Sequence, residues 1–329
     1  MIFRQEECEG VNFLTFQNSK SMTICLCEVG ASLYDLTIEG RHMVMTPYDK
    51  KEFIADKGHY YGQTVGPLPM RYKKGKYTVV DKTYRFPPND RGNALHSSIC
   101  NYGFLPFAAS VELGNEKTVV LFKAKSELKP PRGEMVDIMV AYTIYEHENR
   151  FHLDYLLTPH ADYCLNPTNH IYWTMGVENI EELILTLPST YHLRYDKDLV
   201  PMKKREGLTP VYDFNDGKRI GQDIFDPKIQ AHTTHGYDHY FFLDDDTITL
   251  KGRGLRLKLV TSAEGVQVYT TNYVSPNNRL LDEKERYETP HAAVTLETLD
   301  DPRAGIMPVT MAGQTYTQHN EYTFEKCTY

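Results

Sequence analysis

Residues 136–146 read VDIMVAYTIYE, and after a short polar break residues 151–158 read FHLDYLLT. In both stretches apolar and polar side chains tend to alternate, and in an extended chain every second side chain lies on the same side. Valine, isoleucine, tyrosine and phenylalanine are frequent here, and these residues suit a pleated, half-buried surface. The two stretches therefore predict β-strands.

Short runs of the same kind recur along the chain. They predict further strands at residues 23–29, 78–80, 118–125, 183–187, 254–261 and 266–273. Turn signals separate the runs, for example NDRG at 89–92 and NDG at 215–217. The best helical candidate is short, at residues 49–56. Because parallel sheets need helices between their strands, we predict an all-β fold, a large antiparallel β-sandwich with few short helices. No linker is apparent, so one domain is expected over residues 1–329.

Charge and cysteine content narrow the class of protein. The chain has 36 Lys and Arg against 44 Asp and Glu, a net charge of −8, and its short basic runs are interrupted, so no nucleic-acid partner is expected. The six cysteines are scattered without a C-x-x-C pair, which favours free thiols. Because the sequence shows neither a signal-peptide pattern nor a long apolar run, we expect a cytoplasmic monomer or homodimer without a membrane partner.

Motifs for several common chemistries are absent. There is no G-x-G-x-x-G, no phosphate-binding G-x-x-x-x-G-K-[ST] and no G-x-S-x-G. His152 follows His147-Glu148 one residue too late for H-E-x-x-H, and its strand-like context predicts a surface position. The stretch HTTHGYDH at 232–239 suggests a zinc site, but histidine clusters in loops are usually only polar loop residues. We therefore expect no metal and no cofactor.

Two segments place ionisable groups on predicted strands. In AVTLET at 293–298, Thr295 and Glu297 would share the face opposite Val294 and Leu296; taken alone, Glu297 would most simply be an exposed residue on a sheet. In NPTNHIYW at 166–173, His170 and Tyr172 would share a face, beside the only tryptophan of the chain. Sugar sites combine apolar surfaces with a few placed polar groups, so the second segment indicates a binding site.

Four further polar segments are weak individually. They read YGQTVGPLPMR at 61–71, NALH at 93–96, GYDH at 236–239 and QVYT at 267–270. Taken together and in order, the six segments resemble the aldose 1-epimerase (galactose mutarotase) family. The resemblance runs from about Gly62 to Glu297 and so covers most of the chain.

The resemblance implies a β-sandwich whose concave face carries a sugar cleft. It also implies an isomerase that interconverts the α and β anomers of a free aldose such as galactose or glucose, without a cofactor. Glu297 matches the family's catalytic base, His170 its catalytic acid, and His96 a second histidine near the ring oxygen. The residues that it implies for substrate binding are Arg71, Asp238, Gln267 and Tyr172. Since a carboxylate raises the pKa of a nearby histidine, we expect Glu297 to favour the charged form of His170.

Several family segments are altered here. The usual Gly-Arg-x-x-Asn-Arg reads GPLPMR at 66–71, and Leu-His-Gly-Gly reads LHSS at 95–98. The sequence thus resembles a divergent member of this family, and it does not indicate which sugar is preferred. Three alternatives also stay open: a carbohydrate-binding protein without catalysis, a mutarotase for phosphorylated hexoses, which would need extra Arg or Lys at the cleft, and a glycosidase that uses Asp238 and Glu297 as paired carboxylates.

Overall fold

The computed structural model describes residues 1–328 except Thr234, Glu283 and Glu285, and only the backbone of residues 231–233. The described chain is built from antiparallel strands and two short α-helices, α1 (Lys50–Ala55) and α2 (Pro227–Thr233). Helix α1 confirms the predicted helix, and the Asp49 side chain begins it by accepting the Lys51 N–H at 2.7 Å. Neither helix has the length and apolar run that a bilayer crossing requires.

The strands of the first half of the chain are β1 (Ile2–Cys8), β2 (Val11–Gln17), β3 (Met22–Cys27), β4 (Ser32–Ile38), β5 (Arg41–His42), β6 (Thr64–Val65), β7 (Arg71–Tyr72), β8 (Lys76–Val79), β9 (Lys82–Arg85), β10 (Ala94–Leu95), β11 (Ala108–Glu112), β12 (Lys117–Glu127), β13 (Met135–Tyr145) and β14 (Arg150–Pro159). Those of the second half are β15 (Tyr163–Cys164), β16 (Thr168–Asn169), β17 (Tyr172–Trp173), β18 (Ile184–Thr186), β19 (Ser189–Tyr195), β20 (Pro201–Gly207), β21 (Lys218–Arg219), β22 (Asp238–Leu243), β23 (Thr247–Gly252), β24 (Leu255–Thr261), β25 (Gly265–Tyr269), β26 (Val294–Leu299), β27 (Val309–Thr310) and β28 (Tyr316–Lys326).

Three larger sheets organise the described residues. A five-stranded sheet follows chain order from β1 to β5. A nine-stranded sheet has the order β11-β12-β13-β14-β28-β24-β23-β18-β21, and a six-stranded sheet has the order β17-β26-β25-β22-β19-β20. The remaining strands pair in twos, β7 with β10, β6 with β16, β15 with β27 and β8 with β9. The predicted all-β class is confirmed.

The six-stranded and nine-stranded sheets face each other across a shared apolar layer. Trp173 of β17 is fully buried, and its ring lies 5.5 Å from that of Tyr322 and 5.9 Å from that of Phe324 in β28. Polar contacts also join the sheets, since the Thr298 hydroxyl of β26 donates to Asn320 Oδ1 of β28 at 2.8 Å. One face of the six-stranded sheet is therefore committed to the core, and its other face is available for a cleft.

The predicted strands at residues 136–146 and 151–158 form adjacent strands of the nine-stranded sheet. Strands β13 and β14 pair antiparallel, and β14 alternates strictly between buried and partly exposed residues. The predicted strand at 266–273 is too long, because β25 ends at Tyr269. Thr271 adopts φ 49°, a left-handed conformation that extended strands exclude, and the chain turns there toward the cleft.

We expect Trp173→Ala to lower the free energy of unfolding by about 3–5 kcal/mol, because it leaves a cavity between the sheets. Urea denaturation followed by far-ultraviolet circular dichroism measures the change. Leu113→Ala is the control, since Leu113 is 56% exposed and should change stability by less than about 0.5 kcal/mol. Equal effects of the two substitutions would contradict the packing described above.

Candidate active site

A cleft of about 280 Å³ opens on the face of the six-stranded sheet that points away from β28. All the site residues predicted from the sequence line this cleft: His96, His170, Glu297, Arg71, Asp238, Gln267 and Tyr172. They come from strands β7, β17, β22, β25 and β26 and from the loops before β17 and after β10. The structure thus brings together residues that lie up to 226 positions apart in the chain, from Arg71 to Glu297.

Glu297 lies on the cleft face of β26 and is only 2% exposed, not on an open surface. Its Oε1 accepts a hydrogen bond from the Thr295 hydroxyl at 2.9 Å, whereas its Oε2 has no hydrogen-bond partner among the described residues. Burial raises the pKa of the Glu297 carboxyl to about 8, the Thr295 bond opposes this rise, and the charge of Asp238 adds to it. This carboxyl therefore exchanges its proton near neutral pH.

His170 lies directly beside this carboxyl. Its Nε2 is 3.4 Å from Glu297 Oε1, and the imidazole is 4% exposed. Burial lowers the pKa of His170 to about 3. The expected rise of this pKa beside a carboxylate is wrong, because desolvation of the imidazolium is the largest effect and the neighbouring Glu297 itself keeps its proton. Burial therefore favours the neutral pair, a protonated carboxyl and an uncharged imidazole.

The backbone around Gly62 holds the His170 segment in place. Gly62 donates its N–H to the His170 carbonyl at 2.9 Å, and its own carbonyl accepts the Asn169 side-chain amide at 3.1 Å. Gly62 has φ +57°, and a Cβ there would lie 2.0 Å from the Leu33 carbonyl oxygen. Only glycine fits this position, because any Cβ would collide with the Leu33 carbonyl.

His96 enters the cleft from a left-handed turn. His96, Ser97 and Ser98 have φ values of 50°, 59° and 55°, a conformation that is costly for residues other than glycine. The Met70 N–H donates to His96 Nδ1 at 3.3 Å, so the neutral ring carries its proton on Nε2. Burial lowers the pKa of His96 well below its usual value. His96 therefore offers the cleft a hydrogen-bond donor.

The same tautomer bears on metal binding. One donor atom each of His96, His170 and Glu297 lie within 4.8 Å of one another, close enough to share an ion. A metal-bound histidine normally donates the N–H of its other nitrogen, but His96 Nδ1 faces a backbone N–H donor. The arrangement fits proton transfer and hydrogen bonding better than metal coordination.

Arg71 and Asp238 form one wall of the cleft. Arg71 Nε donates to Asp90 Oδ2 at 2.6 Å, and its Nη1 lies 3.5 Å from Asp238 Oδ2. The Gln267 side-chain amide donates to Asp238, and Gln267 in turn accepts the Tyr195 hydroxyl at 3.0 Å. Each of these groups is thus held in place by at least one other group of the wall.

Tyr172 lies beside His170 at the cleft. Its hydroxyl donates to the His59 carbonyl at 2.9 Å, and its ring lies 4.9 Å from the His170 ring. The structure therefore places Tyr172 as an apolar surface that positions the imidazole.

Several cleft residues were not identified from the sequence. They include Tyr60, Asp90, Arg91 and Tyr273. Arg91 Nη2 donates to the Tyr273 hydroxyl at 2.8 Å and so joins two loops at the cleft. The only sequence signal was the turn at 89–92, which marks a bend but not what the bend approaches.

The histidine-rich stretch at 232–239 divides between two environments. Asp238 faces the cleft, whereas His239 lies against Tyr212, with ring centroids 4.9 Å apart. The side chain of His232, on which the zinc hypothesis also depended, lies outside the described residues.

Comparisons with known proteins identify the family of the chain. The sequence profile of the family described as aldose 1-epimerase matches residues 12–323. Galactose mutarotase from Mus musculus is 23% identical over 308 residues, 88% of this chain and 86% of the relative. Aldose 1-epimerase from Escherichia coli K12 is 24% identical over 284 residues, 79% of each chain.

Solved structures support the same fold. The galactose 1-epimerase structure from Lactobacillus acidophilus superposes with a TM-score of 0.88 at 19% identity, over 99% of each chain. An aldose epimerase homologue from C. elegans gives a TM-score of 0.84 at 20% identity, over 97% of this chain and all of that one. With the profile match over nearly the whole length, these findings show that the chain belongs to the aldose 1-epimerase family of isomerases.

Proposed function

We propose that this protein interconverts the α and β anomers of a free aldose, such as galactose or glucose, by acid–base ring opening. The buried Glu297–His170 pair carries the proposal, because a carboxyl and an imidazole 3.4 Å apart in a sugar-sized cleft can move two protons on one substrate. The likeness to galactose mutarotases and aldose 1-epimerases supports this activity.

Ring opening requires one proton to leave and another to arrive. Glu297 takes the proton of the C1 hydroxyl, the C1–O5 bond breaks, and His170 gives a proton to the ring oxygen. The open aldehyde turns about its C1–C2 bond and then closes on the other face, with both proton transfers reversed. Positioned acid and base groups each contribute about 10²–10⁴-fold to such steps.

Glu297 and His170 together need one exchangeable proton for this cycle. Burial places that proton on Glu297, since the carboxyl pKa is about 8 and the imidazole pKa about 3. A C1 hydroxyl that donates to Glu297 stabilises the carboxylate, and the proton can then pass across 3.4 Å to His170. The bound sugar thus creates the charged acid and base that the reaction uses.

The remaining cleft groups hold the sugar during rotation. His96 Nε2–H is suited to donate to the ring oxygen region, while Arg71 donates to hydroxyls and Asp238 accepts from them. Gln267 keeps Asp238 in position. We infer a neutral monosaccharide as the substrate, because the carboxylates of Asp90 and Asp238 balance the two arginines at the cleft, while burial keeps the proton on Glu297.

We expect Glu297→Gln to lower kcat for mutarotation by at least about 100-fold, because the amide cannot accept the C1 proton. Polarimetry of freshly dissolved α-D-galactose and α-D-glucose measures the relaxation. Glu134→Gln is the matched control, because Glu134 is also buried but lies outside the cleft lining. If Glu297→Gln kept near wild-type activity, the assignment of the base would be wrong. If wild type bound galactose without accelerating relaxation, a binding role would replace catalysis.

The raised pKa of Glu297 also predicts how stability depends on pH. The unfolded carboxyl ionises above its usual value of 4.5, whereas the folded one keeps its proton up to about 8. Its contribution to stability is therefore complete below pH 4.5 and lost as pH rises through 8. Between pH 4.5 and about 8, the melting temperature of wild type should fall relative to that of Glu297→Gln, whose amide cannot ionise. Scanning fluorimetry of both proteins without sugar tests this, and parallel curves would contradict the burial effect.

We expect galactose to be a better substrate than galactose 6-phosphate, by at least about tenfold in kcat/KM. Arg71 is already engaged by Asp90 and Asp238, and phosphate requires an available arginine fork. Polarimetric relaxation of both sugars at equal concentration measures the ratio. A preference for the phosphorylated sugar would identify the chain instead as a hexose-phosphate mutarotase.

A further inference from the structure

A second group of chemically active side chains lies on the other surface of the molecule. His152 and Asp154 of β14 stand opposite Glu321 and His319 of β28 in the nine-stranded sheet. Their neighbours Leu153 and Asn320 point into the buried layer, so the alternation of both strands directs these four side chains outward. We call these four residues the outer quartet.

The outer quartet is compact. His152 Nε2 lies 2.9 Å from Glu321 Oε2, and His319 Nδ1 is hydrogen-bonded to Asp154 Oδ1. The two imidazole rings meet edge to face, with centroids 4.8 Å apart. One donor atom each of His152, Asp154 and His319 lie within 4.8 Å of one another.

We propose that the outer quartet binds a divalent transition-metal ion of the zinc class. Zinc prefers imidazole nitrogen and carboxylate oxygen at roughly 2.0–2.2 Å in a tetrahedron, which places the donor atoms about 3.4 Å apart. Small rotations of the partly exposed side chains bring the three donors to this spacing. Glu321 either completes the coordination or orients His152 from behind, as carboxylates do for metal-bound histidines.

The surroundings suit a cation. Two carboxylates face the two imidazoles of the outer quartet, and these are the oxygen and nitrogen donors that bind such an ion. On the flanking strands the residues opposite His152, Asp154 and Glu321 are Thr143, Ala141 and Val260, none of which is charged. Solvent reaches the group, since the His319 side chain is 48% exposed.

One positive charge competes for the same carboxylate. Arg150 Nη1 lies 3.3 Å from Glu321 Oε2, while its Nη2 lies 3.0 Å from Glu148. A metal ion would have to displace Arg150 from Glu321 or leave that contact in place and use the other three ligands. Removing the guanidinium should therefore strengthen binding, a consequence that a purely structural ion-pair network would not have.

The test is isothermal titration of the untagged protein with ZnCl₂, with melting temperature as a second readout. We expect one binding site and a higher melting temperature, because the ion cross-links β14 to β28. His152→Gln with His319→Gln should weaken binding by more than about 100-fold. His147→Gln with His160→Gln, two exposed histidines outside the outer quartet, is the matched control and should bind as wild type does. Arg150→Gln should bind more tightly.

The outcome is independent of the proposed function, since the outer quartet and the cleft share no residue. Binding that survived loss of both quartet histidines would overturn the proposal, as would a dissociation constant above about 1 mM. Binding lost in His170→Gln but kept in the double quartet variant would place the ion in the cleft and also overturn it.

Discussion

The alternation of side chains along β26 is the constraint on which the site depends. Leu296 is buried in the apolar layer and Thr298 bonds to Asn320 of β28, so Glu297 between them must face the cleft. A slip of one residue would exchange the two faces and send the carboxyl into the core. The register with β25, which sets Gln267 directly beside Glu297, then places the residues that surround the sugar.

Burial governs the electrostatics of the cleft more strongly than charge pairing does. Glu297 has one hydrogen-bond donor, and His170 lies beside it, yet desolvation drives both toward their neutral forms. Burial also raises the pKa of Asp238, but Arg71 and Gln267 both oppose this rise. The cleft therefore combines a pair that can exchange a proton with a carboxylate whose partners favour its ionised form.

The loop that carries His96 places three successive residues other than glycine in the left-handed region. Ser97 and Ser98 adopt left-handed conformations, which are energetically unfavourable for residues with a side chain. Ser97 offsets part of this cost, because its hydroxyl donates to the Leu68 carbonyl at 2.8 Å and accepts the Leu68 N–H at 3.0 Å. The loop thus keeps His96 against the Met70 N–H that sets its tautomer.

The sequence by itself predicted the fold class and seven of the residues that line the cleft. Alternation with a period of two is a local property, so stretches such as 136–146 predicted strands directly, and the ordered resemblance to one family supplied His170, Glu297 and their neighbours. Only the tertiary structure decided that Glu297 is buried, that the pKa of His170 falls instead of rising, and that Asp90, Arg91 and Tyr273 meet at the cleft. These features depend on desolvation and on contacts between distant loops, and neither is encoded in the spacing of residues along the chain.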